Sequence, residues 1–158
     1  MGALLRGVLL SVAGLVVAGT TARAAEITHI PYSRPVGIAT ATVVPGGSTL
    51  YFLSGSLPSF DPKAPDDTES QARSAISKLV ATLKTLGLTP ADAVKATVFL
   101  AGDPAKGGEM DFEGFAKAWA EVWPSSDARL PARSTVKVAS LVLPGALIEI
   151  EMIAGRPN

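Results

Sequence analysis

Two stretches of the chain carry apolar residues three and four apart: Ala72, Ala75, Ile76, Leu79, Val80, Leu83 and Leu86 in the first, and Phe112, Phe115, Ala116, Trp119 and Val122 in the second. Each reads as a helix with one apolar stripe, and such a stripe must lie against a sheet or another helix. Segments of strand character flank and separate them, giving the order strand, strand, helix, strand, helix, strand, strand. That order predicts an α+β single domain, a mixed sheet with two helices packed on one face. The other face is then left uncovered. Because Val94 to Leu100 and Leu147 to Ile153 are apolar on much of both faces, that second face is expected to be buried against other subunits.

Local chemistry places the boundaries. The β-branched run from Gly37 to Val44, the turn residues Pro45-Gly46-Gly47-Ser48 and the run Thr49 to Ser54 together predict a β-hairpin. Asp66 and Glu69 have the spacing of a capping box at the start of the first helix, and Gly87 is placed to end it in the left-handed conformation. Thr89-Pro90-Ala91-Asp92 is a short helical turn. Gly102 to Met110, rich in Gly and Lys, reads as a mobile loop, Asp111 as the cap of the second helix and Pro124 as its stop. The aromatics of that helix read as core.

The 158 residues suit one domain of ordinary size. Residues 1–24 stand apart from it: a positive start, an apolar run from Gly7 to Gly19 and the small-x-small pattern Ala22-Arg23-Ala24 form a signal peptide cleaved after Ala24. The domain is then residues 25–158, exported to the periplasm or secreted, with no membrane-spanning segment after cleavage. Of 14 Lys and Arg, Arg6 and Arg23 fall in the leader, against 14 Asp and Glu, so the mature domain is slightly acidic and nucleic acid is a poor partner. There is no Cys, and the one histidine, His29, reads as surface, which leaves no ligand set for a metal. No cofactor is expected.

The candidate chemistry sits near the C-terminus. Leu130 to Ala139 and Leu147 to Ala154 alternate with period two and read as adjacent strands, carrying Arg133 and Glu149. An Arg fork fits a carboxylate bidentately and a nearby Glu can polarise water, so the pair suits a small carboxylate-bearing substrate. An ordinary cross-strand ion pair, worth under about 1 kcal/mol, is the other reading. At Ser54-Gly55-Ser56, a glycine allows either close approach to main-chain N–H groups or a simple strand exit.

These segments, with Leu53-Ser54-Gly55-Ser56-Leu57-Pro58, Gln71-Ala72-Arg73, Val94 to Leu100, Pro131-Ala132-Arg133-Ser134-Thr135-Val136 and Ile148 to Ala154, resemble the RidA family, also called YjgF/YER057c/UK114 and formerly endoribonuclease L-PSP. The resemblance implies a chorismate-mutase-like fold and a homotrimer with sites between subunits. It also implies an enamine/imine deaminase activity, the hydrolysis of reactive 2-imino acids to 2-keto acids and ammonia. On that resemblance Arg133 holds the substrate carboxylate, Ser54 and Gly55 flank it together with Thr135, and Glu149 positions or activates the water. Three positions depart from the family pattern, the mildest being Thr135, a frequent variant of the Cys often found two residues after the Arg. Ala39-Thr40-Ala41-Thr42 stands where many members carry Gly-Pro-Tyr, and Ala116 where a cleft-facing Asn is common. The alternatives are a non-catalytic module binding small carboxylic metabolites, or a holdase-like chaperone.

Overall fold

A computed structural model describes residues 25–34, 36–60 and 66–158; the leader proposed at 1–24 lies outside them. The strands are β1 (Thr28–Pro31), β2 (Ala39–Val43), β3 (Thr49–Ser56), β4 (Ala93–Leu100), β5 (Ala132–Lys137) and β6 (Ile148–Arg156), and the helices α1 (Thr68–Thr85) and α2 (Phe112–Val122). They form one mixed six-stranded sheet in the order β1-β2-β5-β4-β6-β3. β4 and β5 are parallel neighbours joined through α2, while β3 and β4 both run antiparallel to β6 between them.

Burial along β4 explains the layering. Ala96, Val98 and Leu100 are fully buried, alternating with half-buried Lys95, Thr97 and Phe99. The first set faces the helices, where Ala72, Ala75, Ile76, Leu79 and Leu83 of α1 and Phe115, Ala118 and Trp119 of α2 complete the core with Ile148, Ile150 and Met152 of β6. The second set lies on a face that no helix among the described residues covers. There Phe52 is 74% exposed, with Leu50 and Val136 also exposed, and Lys95 donates to the Ser134 hydroxyl at 2.8 Å.

Several expectations need correction. The predicted hairpin is not formed: β2 pairs with β1 and, through a single bridge, with β5, whereas β3 pairs with β6 at the opposite edge. The turn chemistry was right, since Ser48 N–H and Oγ both donate to the Pro45 carbonyl. It reverses the chain without pairing its flanks. The N-cap of α1 is Asp67, which accepts from Ser70 N–H at 2.7 Å, and Asp66 instead accepts from the buried Gln71 amide. Leu86 lies past the end of α1 and is exposed. The segment expected to be a mobile loop is closed on itself, with Asp103 N–H on Glu109 O and Gly108 N–H on Asp103 O, both at 2.9 Å. Gly102 is required there, because a Cβ would stand 2.3 Å from Gly108 O. His29 is half-buried rather than on the surface, its Nδ1 donating to Leu130 O at 2.8 Å and tying β1 to the segment before β5.

Candidate functional site

β5 sets the direction of Arg133. In the ladder it stands opposite Ala96, which stands opposite Met152, both core residues on the helix side. The guanidinium therefore enters the layer between sheet and α2, its carbon 4.8 Å from the centre of the Phe115 ring and 4.7 Å from that of Trp119. Those rings replace part of its lost water through cation–π attraction. The replacement is incomplete, because Nη1 is buried with no hydrogen-bond partner among the described residues. Burial pushes the Arg133 pKa down to about 10, so the group is still a cation at neutral pH. Thr135, two residues on and on the same face, has a hydroxyl that is likewise buried and unpartnered.

Beside Arg133 lies a cavity of about 450 Å³, walled mainly by Val36, Ile38, Phe112, Ala116, Trp119 and Trp123. The wall opposite α2 is held by one side-chain and one backbone hydrogen bond: Trp119 Nε1–H donates to Gly37 O at 3.0 Å, and Ala39 N–H to Pro131 O at 3.1 Å. A buried, under-solvated cation at the wall of an apolar cavity is a receptor for an anion, since a carboxylate would regain hydrogen bonds that Nη1 has lost.

The other candidate residues stand elsewhere. Glu149 pairs with Phe99, three residues along β4 from Ala96, and so projects from the uncovered face. Its carboxylate packs on β3 where the ladder shifts register between Leu53 and Ser56, and a Cβ on Gly55 would come 1.8 Å from Glu149 Oε1. Gly55 is thus the site of a close approach, made by Glu149 itself. Ser54 lines a smaller cavity of about 220 Å³ on the same face, with Lys95, Thr97 and Glu151. The strands expected to be adjacent are separated by β4. An Arg133–Glu149 ion pair within one chain is thereby excluded, and so is their convergence on one ligand in one chain.

A family model described as Endoribonuclease L-PSP matches residues 28–155. The chain belongs to the RidA family. It is 33% identical over 111 residues to the 2-iminobutanoate/2-iminopropanoate deaminase of Salmonella typhimurium, covering 68% of this chain and 80% of that protein. Among solved structures, E. coli TdcF with bound serine is 32% identical, with a TM-score of 0.57 over 72% of this chain and 84% of that one. The Rid protein YyfB of Yersinia pestis, at 23% identity and a TM-score of 0.63, covers 80% of this chain and 96% of its own and shares the fold.

Where this member departs from the RidA pattern, the geometry is explicit. Ala39 is buried, and the Thr40 and Thr42 hydroxyls donate to Pro31 O and Val94 O, so that segment offers no hydroxyl to Arg133. Ala116 lines the cavity as a small, apolar patch. Sequence reasoning missed the second role of the α2 aromatics. Phe112, Phe115, Trp119 and Trp123 recur every three or four residues on the helix that directly precedes the Arg133 strand, a density of large rings beside an inward cation that signals more than core.

Proposed function

We propose that the chain is an enamine/imine deaminase that hydrolyses 2-imino acids to 2-keto acids and ammonia. The observation that carries this reading is the buried, unpartnered Nη1 of Arg133 at the wall of the 450 Å³ cavity. The likeness to a protein named for that activity supports it.

In this reading the substrate carboxylate docks on Arg133, with Thr135 Oγ1 as an additional donor beside it. A protonated imine carbon is already a strong electrophile, so fixing it beside a water supplies mostly orientation. Water adds to that carbon, and its proton passes through Glu149 to the nitrogen. Collapse of the tetrahedral adduct then breaks the C–N bond, the hydroxyl proton passing to Glu149 as the carbonyl forms, and releases ammonia and the keto acid. Because Glu149 and Arg133 of one chain point to opposite faces of the sheet, the Glu149 that serves a given Arg133 is supplied by a neighbouring copy. We accordingly infer a homotrimer assembled through the uncovered face, with Ser54, Gly55 and Glu149 of one copy completing the Arg133 cavity of the next. Export is part of the proposal and implies imines that arise outside the cytoplasm.

One observation favours the second reading, a binding module without turnover: the Arg133 anchor and its apolar walls come from one chain, whereas that chain's Glu149 faces the other side of the sheet. The test is to generate imines in situ with an amino-acid oxidase and follow semicarbazide-trappable imine. Accelerated loss that Arg133→Ala and Glu149→Gln both abolish supports the deaminase. Saturable keto-acid binding with no acceleration supports the module.

A further inference from the structure

We infer that the Arg133 cavity selects carboxylates with a bulky apolar or aromatic side chain over those with a methyl or hydroxymethyl group. The inference rests on Arg133 as the carboxylate anchor, and it names the class of 2-imino or 2-keto acid that the site takes.

The argument begins on α2. Phe112, Ala116, Trp119 and Trp123 fall three or four residues apart and form one stripe along the length of the helix, all of it lining the cavity. The stripe continues past the helix end because Trp123 is locked, with its Nε1–H on Pro90 O at 3.0 Å and its ring stacked on Trp119 at 4.3 Å between centroids. Across from it stand Val36 and Ile38, fixed by the bond from Trp119 to Gly37 O. Among this chain's described lining residues, the polar side chains besides Arg133 are Ser125 and the two Trp indoles, whose N–H groups are already bonded to Gly37 O and Pro90 O. A polar substituent beyond the carboxylate therefore finds little to bond, and its burial there is unfavourable.

Size points the same way. At about 450 Å³ the cavity falls within the range of roughly 300–1,000 Å³ usual for pockets that enclose drug-sized molecules. A ligand ending in a methyl group leaves most of that volume to water held against apolar walls. An aromatic or branched side chain displaces that water and buries its own apolar surface, at about 25 cal/mol per Å². Ala116 makes the room. At this position a larger residue would project into the cavity midway along the stripe, one turn from both Phe112 and Ala120.

Isothermal titration of the purified protein with phenylpyruvate and with pyruvate tests this, because both carry the same carboxylate and keto group. Phenylpyruvate should bind at least about tenfold more tightly, the scale on which an apolar pocket distinguishes side chains. Ala116→Leu should shrink that ratio, and Arg133→Ala should remove binding of both. Equal affinities in the wild type, or a ratio unmoved in a folded Ala116→Leu protein, overturn the inference. Titration is independent of turnover: preference for phenylpyruvate in a protein that hydrolyses no imine upholds the inference and sinks the deaminase reading. Turnover of alanine-derived imine with equal keto-acid affinities does the reverse.

Discussion

Arg133 is held at a cost to the fold. A guanidinium stripped of water enough to bring its pKa down to about 10 has lost solvation of the order of 3 kcal/mol, while its two ring contacts return about 1–2 kcal/mol. The desolvation term is the larger. Arg133→Leu, which keeps the contact with Phe115 and Trp119, should therefore stabilise the protein by about 1–2 kcal/mol in urea unfolding while weakening keto-acid binding at least a hundredfold, roughly. An unchanged or lowered midpoint would show that the rings fully compensate the burial. The pH dependence follows from the sign of the shift. Below about pH 10 the group is charged in both states and the folded protein bears the penalty. Above it the folded state sheds its proton first, the unfolded chain binds more protons, and stability rises with pH. The advantage of Arg133→Leu over wild type should hence narrow above about pH 10, where carboxylate binding by the wild type also fades.

At the level of elements, the register shift in β3 sets the position of Glu149. Gly55 is not a positive-φ residue, so its backbone tolerates a side chain; what it provides is space for the Glu149 carboxylate. Gly55→Ala should leave stability within about 1 kcal/mol of wild type, since only the end of a flexible side chain has to move. In the deaminase reading it should lower turnover about a hundredfold, like Glu149→Gln, because the carboxylate is displaced. Full activity in Gly55→Ala would detach this rotamer from catalysis. What was legible in the sequence divides along the same line between local and long-range causes. Both helices, their apolar stripes, Gly87 at φ +70° and the alternation of β4 follow from periodicity and capping, which are local. The partner of β2 does not. Its β-branched run suits any neighbour, and whether it meets β3 or β5 is decided by contacts distant in sequence, such as Trp119 on Gly37 O and Thr42 on Val94 O. Likewise, Arg133 and Glu149 were recognisable as a pair of charges in alternating strands. Their opposite directions depend on β4 lying between them, which no spacing in β5 or β6 encodes.

For the whole molecule, the uncovered face and the proposed sharing of the site between copies lead to one experiment. Phe52, three-quarters exposed on that face, is poorly placed in water and well placed in an interface. Phe52→Asp should give a folded protein of lower mass by light scattering, which still binds keto acid in its own Arg133 cavity but has lost hydrolysis. Arg133→Ala and Glu149→Gln chains, each inactive alone, probe the sharing directly. If every site takes its Arg from one copy and its Glu from the next, subunit exchange in a closed ring yields intact sites whenever a Glu149→Gln chain supplies the Arg and an Arg133→Ala chain the Glu. Random mixing of equal amounts then restores about a quarter of wild-type activity, distributed by the symmetry of the ring. A site built within one chain gives nothing on mixing, because no chain in the mixture holds both groups. No restoration despite proven exchange would mean that Glu149 serves the interface and that another group handles the water.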